Sequence, residues 1–247
     1  MTIIALSNQK GGCGKTTSAV NLAAYLALHG KNVLLIDLDP QGSATTHMGI
    51  DKDAITKTMN EVMLGQLKLT EIILHSEIPG MDIAPANNKL GEAEMLLTRQ
   101  TFREQVLHKI LTGLEDYDYV IVDTPPSLGN LTVNAIIAAD LVIIPIQTQF
   151  FAVDGLAQLT DLLDVIAQMG YSPRKRYLLT MHNRTRTISK QIAESVRELF
   201  GEDVYTTIIP DTVKLVEAPS YGKPICLHSP KSPGAISYEQ LAKEVLS

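Results

Sequence analysis

The sequence predicts an α/β fold: a doubly wound, mostly parallel sheet flanked by helices. Three observations predict it. Short aliphatic runs alternate with amphipathic stretches along all 247 residues. Runs such as Val120-Ile121-Val122 and Leu141-Val-Ile-Ile-Pro-Ile146 are apolar throughout, as suits strands buried on both faces of a parallel sheet. A glycine-rich loop follows the first such run and opens a helical stretch, the start of a right-handed crossover unit.

The elements follow in order. Strands are expected at Ile3–Leu6, Asn32–Ile36, Met81–Ala84, Tyr119–Val122, Leu141–Ile146, Arg176–Thr180 and Val204–Ile208. Helices are expected at Lys15–His29, Leu90–Leu114, Leu131–Ala139, Asp154–Met169, Ser189–Phe200 and Tyr238–Leu246. Gly30 stands where a helix-terminating glycine belongs, just before the second strand. No repeat, low-complexity tract or linker breaks the pattern, so residues 1–247 read as one domain.

Composition narrows the class. Hydrophobic residues make up 45 % of the chain and charged residues 19 %, a balance unlike that of a disordered protein. Cys13 and Cys226 are too few for a disulfide framework, which points to a reducing, cytoplasmic setting. No apolar run reaches the ~20 residues that span a bilayer, and the start of the chain carries no signal-peptide pattern. The six histidines are scattered without ligand spacing. The net charge of −6 argues at first against a nucleic-acid partner, but the charge is uneven. Residues 1–170 carry −9 and residues 171–247 carry +3. Between Tyr171 and Ala193 stand Arg174, Lys175, Arg176, Arg184, Arg186 and Lys190 with no acid among them, which reads as a basic patch.

In a doubly wound sheet, ligands bind beyond the carboxyl ends of the strands. The loop after the first strand reads Lys10-Gly11-Gly12-Cys13-Gly14-Lys15-Thr16-Thr17. Its glycines let successive backbone N–H groups converge on phosphate oxygens, and the helix start adds partial positive charge. Lys15 supplies a mobile cation for the β- and γ-phosphates, Thr16 a hydroxyl for Mg²⁺, and Thr17 a further phosphate contact. Two later loops bring carboxylates. Asp123-Thr-Pro-Pro offers a metal-side acid at a strand end, and Asp37-Leu-Asp39-Pro-Gln-Gly offers Asp39 to position or deprotonate water. Asp37 suits either task, or bonding to neighbouring groups. The metal set expected is Thr16, Asp39 and Asp123. Cys13 reads as small filler in the loop, open to oxidation.

The extra lysine that begins the loop, Lys10, resembles a deviant Walker A motif. With Asp37-Leu-Asp-Pro-Gln-Gly, Asp123-Thr-Pro-Pro and Glu217-Ala-Pro-Ser-Tyr-Gly-Lys-Pro224, the chain resembles the ParA/Soj group of partition ATPases from Thr2 to about Val245. That group belongs to the ParA/MinD superfamily of P-loop ATPases. The resemblance implies a slow, partner-stimulated ATPase that uses ATP and Mg²⁺. It implies an ATP-dependent homodimer with nucleotide at the interface, where Lys10 reaches the partner's phosphates like an arginine finger. Asp39 matches the water-activating residue and Asp123 the Walker B acid. Asn183, Pro210 and Asp211 are the candidates for adenine contacts. The resemblance further implies non-specific DNA binding, here by Arg184, Arg186, Lys190 and Lys214, with Arg184 and Arg186 flanking the family's usual arginine position. Partners would be DNA and a ParB-like or other cargo adaptor, with the protein on the nucleoid.

Two other readings have distinguishing features. A MinD-like positioning ATPase would end in a basic, strongly apolar membrane-targeting helix, whereas Ser237–Ser247 is neither, so no stable membrane association is expected. A cobyrinate-amidase-like ligase would require a small carboxylate substrate. A nitrogenase-type cluster lacks the paired cysteines it needs. The phosphate loop begins at residue 10, so an operator-binding extension ahead of it is not expected.

Overall fold

The structure is a computed structural model and describes residues 1–149 and 156–247. Its centre is an eight-stranded sheet: β1 (Thr2–Leu6), β2 (Val33–Asp37), β3 (Leu74–His75), β4 (Met81–Ala84), β5 (Tyr119–Asp123), β6 (Leu141–Gln147), β7 (Arg174–His182) and β8 (Val204–Pro210). The order is β3-β4-β2-β5-β1-β6-β7-β8, and every pair is parallel except β3 with β4. From β1 the chain continues to β2 on one side, while β5 continues to β6 on the other. The central loops therefore converge beside β1.

The helices are α1 (Lys15–Leu28), α2 (Ser43–His47), α3 (Met59–Met63), α4 (Leu90–Leu97), α5 (Val106–Leu111), α6 (Asn130–Ala138), α7 (Leu156–Gln168), α8 (Thr187–Phe200), α9 (Val213–Glu217), α10 (Ile225–His228) and α11 (Pro233–Leu246). Both faces of the sheet are covered. Ile4, Leu6 and Leu35 pack with α1 and α11 on one face, while Ile3, Ala5, Leu34 and Ile36 pack with α3 to α6 on the other. Ile144 and Leu179 pack with α7 and α8. This two-sided burial is why the central strands read as unbroken aliphatic runs.

The seven expected strands all form, each within two residues of its expected ends. Gly30 follows the α1 cap His29 with a φ of 80°, and its N–H donates to the Ala27 carbonyl at 2.8 Å. Departures have local causes. The single helix expected over Leu90–Leu114 is two, α4 and α5. The Asn134 side chain on α6 accepts the Leu107 N–H at 3.0 Å and donates to the Arg103 carbonyl at 2.8 Å, so tertiary bonds replace helical ones at the break. Phe102 there has a φ of 57°. The edge strand β3 was not expected; it is two exposed residues without a pattern to read. Of the helix expected from Asp154, the first two residues lie outside the described residues, and α7 is described from Leu156.

The basic tract between Tyr171 and Ala193 is not one patch. Arg174, Lys175 and Arg176 lie at the amino end of β7, whereas Arg184, Arg186 and Lys190 lie beyond its carboxyl end. Arg176 and Arg184 are eight residues apart along largely extended chain, which separates the two groups by ~25 Å. The first group shares a cleft with Glu202, Asp203 and Glu244. The Arg176 guanidinium lies 4.3 Å from the centre of the Tyr205 ring and donates to the Asp203 carbonyl at 3.2 Å.

Candidate nucleotide site

The phosphate loop is held from below and from the side. Asn8 donates to the Pro145 carbonyl at 2.7 Å and accepts the Lys10 N–H at 2.9 Å, fixing the entry of the loop. The Thr180 hydroxyl, near the end of β7, donates to the Cys13 carbonyl at 2.8 Å. Gly14 caps α1 with φ 93°, a conformation that favours glycine. No acid stands in the first turn of α1 and no side chain caps it, so its N–H groups are open to an anion. Lys15 is buried, and its ammonium folds back on the Lys10 carbonyl at 3.3 Å. Among the described residues, nothing pairs with the Lys10 ammonium. Cys13 is buried and burial pushes its thiol up, against the oxidation sensitivity expected of it.

The three acids divide their tasks. Asp37, at the end of β2, accepts the Thr45 N–H at 2.8 Å, the Thr45 hydroxyl at 2.7 Å and the Asp39 N–H at 3.2 Å. Its oxygens are thus occupied in holding α2 and the Asp39 backbone, which selects the neighbour-bonding role among those open to it. Burial outweighs these bonds and pushes its carboxyl up to about 6. Asp123 stands opposite Asp37 in register and beside Leu6. It is fully buried, and among the described residues neither carboxylate oxygen has a hydrogen-bond partner. Burial first, and the Asp37 charge next, raise it well above the carboxylate range, while Thr16 and Lys15 beside it act the other way. A buried carboxylate with both oxygens free, next to a threonine hydroxyl, fits a divalent cation, which would offset that burial. Asp39 is 6 % exposed; its carboxylate accepts the Gln41 N–H at 2.9 Å.

A cavity of about 320 Å³ brings together Gly11, Gly12, Gly14, Lys15, Thr16, Thr17 and Asp39, with Pro126 and Met181. A second cavity, about 330 Å³ and mainly apolar, adjoins it through Gly14, Thr17 and Met181, and runs between Pro210, Asp211, Leu215, Val216 and Pro219. One polar and one apolar compartment meeting at the start of α1 suit a phosphate chain and a base. Asn183 stands apart from that second cavity. It lines a neighbouring groove, and its carbonyl oxygen accepts the Thr185 N–H at 3.0 Å and the Thr185 hydroxyl at 2.7 Å. Arg184, Arg186 and Lys190 are exposed. Lys214 is exposed and pairs with Glu217 at 2.9 Å, which raises the lysine and lowers the glutamate.

Met181 lines both cavities with a φ of 50°, which sequence reasoning missed. No pattern marks it, because its position follows from the end of β7. Asn21 was also missed. Its amide donates to the Thr17 carbonyl and its oxygen accepts the Ile225 N–H, each at 2.7 Å, tying the loop helix to the segment after Gly222.

Geometry of this kind belongs to P-loop nucleotide-binding proteins. A family model described as an AAA domain matches residues 1–177. The chain is 43 % identical to the sporulation initiation inhibitor protein Soj of Bacillus subtilis, over 98 % of this chain and 97 % of Soj. It is 44 % identical to the chromosome partitioning protein ParA of Myxococcus xanthus, over 99 % of this chain and 87 % of that protein. Among solved structures, cobyrinic acid a,c-diamide synthase of Mycobacterium smegmatis with bound ATP analogue and magnesium superposes with a TM-score of 0.88 at 34 % identity, covering 100 % of this chain and 94 % of the other. The septum site-determining protein MinD of Pyrococcus horikoshii with Mg-ADP shares the fold, with a TM-score of 0.78 at 23 % identity over 99 % and 95 % of the two chains. The chain belongs to the ParA/Soj family of partition ATPases.

Proposed function

We propose that residues 1–247 form one ATPase domain that acts as a molecular switch. With ATP and Mg²⁺ it forms a homodimer with nucleotide at the interface and holds DNA without sequence preference. Through a partner protein of the ParB kind, or another cargo adaptor, it positions a plasmid, a chromosome or a protein assembly over the nucleoid. One observation carries the reading. Arg184, Arg186 and Lys190 are exposed just beyond the carboxyl end of β7, where Met181 lines both halves of the nucleotide cavity. These three exposed cations and the cavity thus share one end of one strand, which supports the reading.

The chemistry follows from the residues. The loop N–H groups and Lys15 would hold the phosphates, and the apolar cavity beside Pro210 and Asp211 would hold the base. Thr16, Asp123 and Asp39 would hold Mg²⁺, which would supply positive charge to the phosphate oxygens. Asp39 orients the attacking water and takes its proton. Lys10, without a partner among the described residues, is the cation offered to the second protomer's phosphates. Hydrolysis then depends on dimerisation, and a partner protein that completes the interface accelerates it.

Sedimentation and phosphate release test this together. The unsubstituted chain is expected to dimerise with ATP, not with ADP, and to hydrolyse ATP slowly. Lys10→Ala is expected to lose turnover while still binding ADP as a monomer. A monomer that turns over at the same rate with or without Lys10 would contradict the trans role.

The solved diamide synthase at 34 % identity motivates a second reading, ATP-dependent amidation of a small carboxylate. Turnover that requires such a substrate and ignores DNA would favour it. For a membrane-bound switch there is less support. The apolar face of α11 is buried through Tyr238, Leu241 and Ala242.

A further inference from the structure

The motif Glu217-Ala-Pro-Ser-Tyr-Gly-Lys-Pro224 is singled out by the sequence, yet only Pro219 of it lines the base-side cavity. One of its other contacts, at Gly222, leads toward Asp39. Gly222 and Gly49 meet backbone to backbone. Both are left-handed, with φ 63° and 78°. A Cβ on Gly222 would lie 2.6 Å from the Gly49 Cα, and one on Gly49 would lie 2.9 Å from the Gly222 carbonyl oxygen. Neither neighbour is a flexible side chain, so any side chain here pushes two backbone segments apart.

Each glycine ends a unit of the site. Gly49 closes α2, donating its N–H to the Thr46 carbonyl at 3.0 Å. Helix α2 hangs from Asp37 through Thr45, and Asp37 also accepts the Asp39 N–H. Gly222 donates to the Pro219 carbonyl at 3.0 Å, and Pro219, Val216 and Leu215 are the wall of the base-side cavity. Just beyond Gly222, Ile225 bonds to Asn21, which bonds to the Thr17 carbonyl of the phosphate loop. Ala218 and Ala44, both fully buried, belong to the same packed core beneath the contact.

We propose that the Gly49–Gly222 contact is a positioning junction that sets the Asp39 segment against the base-cavity wall and the phosphate-loop helix. The inference rests on the ATPase reading above. Neither glycine lines the nucleotide cavities, so the junction governs where Asp39 stands rather than whether nucleotide binds. Its loss is read in kcat, with KM little changed.

Gly222→Ala and Gly49→Ala test this, with Gly65→Ala as control. Gly65 has a φ of 71° and nothing within 4 Å of an added Cβ, so alanine there brings the same backbone strain without a collision. Both junction variants are expected to lose about tenfold or more in kcat for ATP, the scale of a misplaced catalytic group. Their KM for ATP and Kd for ADP are expected to stay within about threefold of the unsubstituted chain. Gly65→Ala is expected to keep its kcat. If Gly222→Ala does not fold, Gly49→Ala, with the looser contact, is read alone; failure of both to fold makes the contact a stability element and overturns the proposal. Unchanged kcat in the junction variants, an equal loss in Gly65→Ala, or a KM that rises in step with the loss of kcat also overturns it. No ATP turnover by the unsubstituted chain would overturn the ATPase reading itself, and the junction with it; normal turnover with unaffected variants overturns the junction alone.

Discussion

At the amino ends of the strands, polar groups find partners within the protein, while at the carboxyl ends several do not. At the amino ends, Asp140 accepts the Ile3 N–H and Asp118 accepts the Asn32 N–H, both at 2.8 Å, and Arg176 is stacked on Tyr205. At the carboxyl ends, both oxygens of Asp123, the Ser7 hydroxyl and His47 Nε2 are buried without a hydrogen-bond partner among the described residues. Arg184, Arg186 and Lys190 stand exposed. The same residue types thus serve cohesion at one end and remain available for a ligand at the other. Leaving buried polar groups without partners costs stability, and such a cost persists where a ligand supplies the partner.

The sharpest way to break this contrast is Asp123→Asn. Turnover is expected to fall by about 10²-fold or more, because a neutral amide cannot balance a metal ion beside the phosphates. Thermal stability is expected to hold or rise at neutral pH, since burial keeps this carboxyl well above its usual range and its charged form strains the fold. Activity measured beside a melting curve checks both.

His47 gives the next largest effect. Burial lowers it from 6.5 to about 4, so the folded protein binds fewer protons than the unfolded chain between those values. Its contribution is fully present above pH 6.5 and is lost as pH falls through 4. That loss amounts to about 3 kcal/mol at most. Denaturant titrations across this range are expected to show it, and His47→Gln to flatten it.

The basic groups sharpen the comparison within one strand. Replacing Arg184, Arg186 and Lys190 together by alanine removes six cations from the dimer and is expected to weaken DNA binding by about 10²-fold or more and to reduce the salt slope by up to roughly 5. Replacing Arg174 and Lys175 is expected to leave the slope unchanged. The smallest effect belongs to Arg176→Ala, which is expected to lose about 1 kcal/mol of stability with its stacking on Tyr205 and to leave turnover alone.

Much of this was legible in the sequence because burial on both faces writes itself as unbroken aliphatic runs. The runs after which Lys10–Thr17, Asp37–Gly42 and Asp123–Pro126 begin are the central strands β1, β2 and β5. What stayed hidden depended on contacts between distant segments. The break between α4 and α5 comes from Asn134, 27 residues beyond Leu107, and the pairing of Gly49 with Gly222 has no local signature. The basic tract misled for a related reason. Sequence places Arg176 and Arg184 eight residues apart, but the extended chain carries them to opposite ends of β7. Asp37 and Asp39 are two residues apart in one loop, and only the partners around them separate an acid that holds α2 from one that faces the cavity.

The most direct test of the switch is DNA retention measured with ATP, with ADP and without nucleotide, at two salt concentrations. The account predicts binding with ATP alone, weakened by salt, from a chain whose net charge is −6. Equal binding in all three nucleotide states, or none in any, would contradict it.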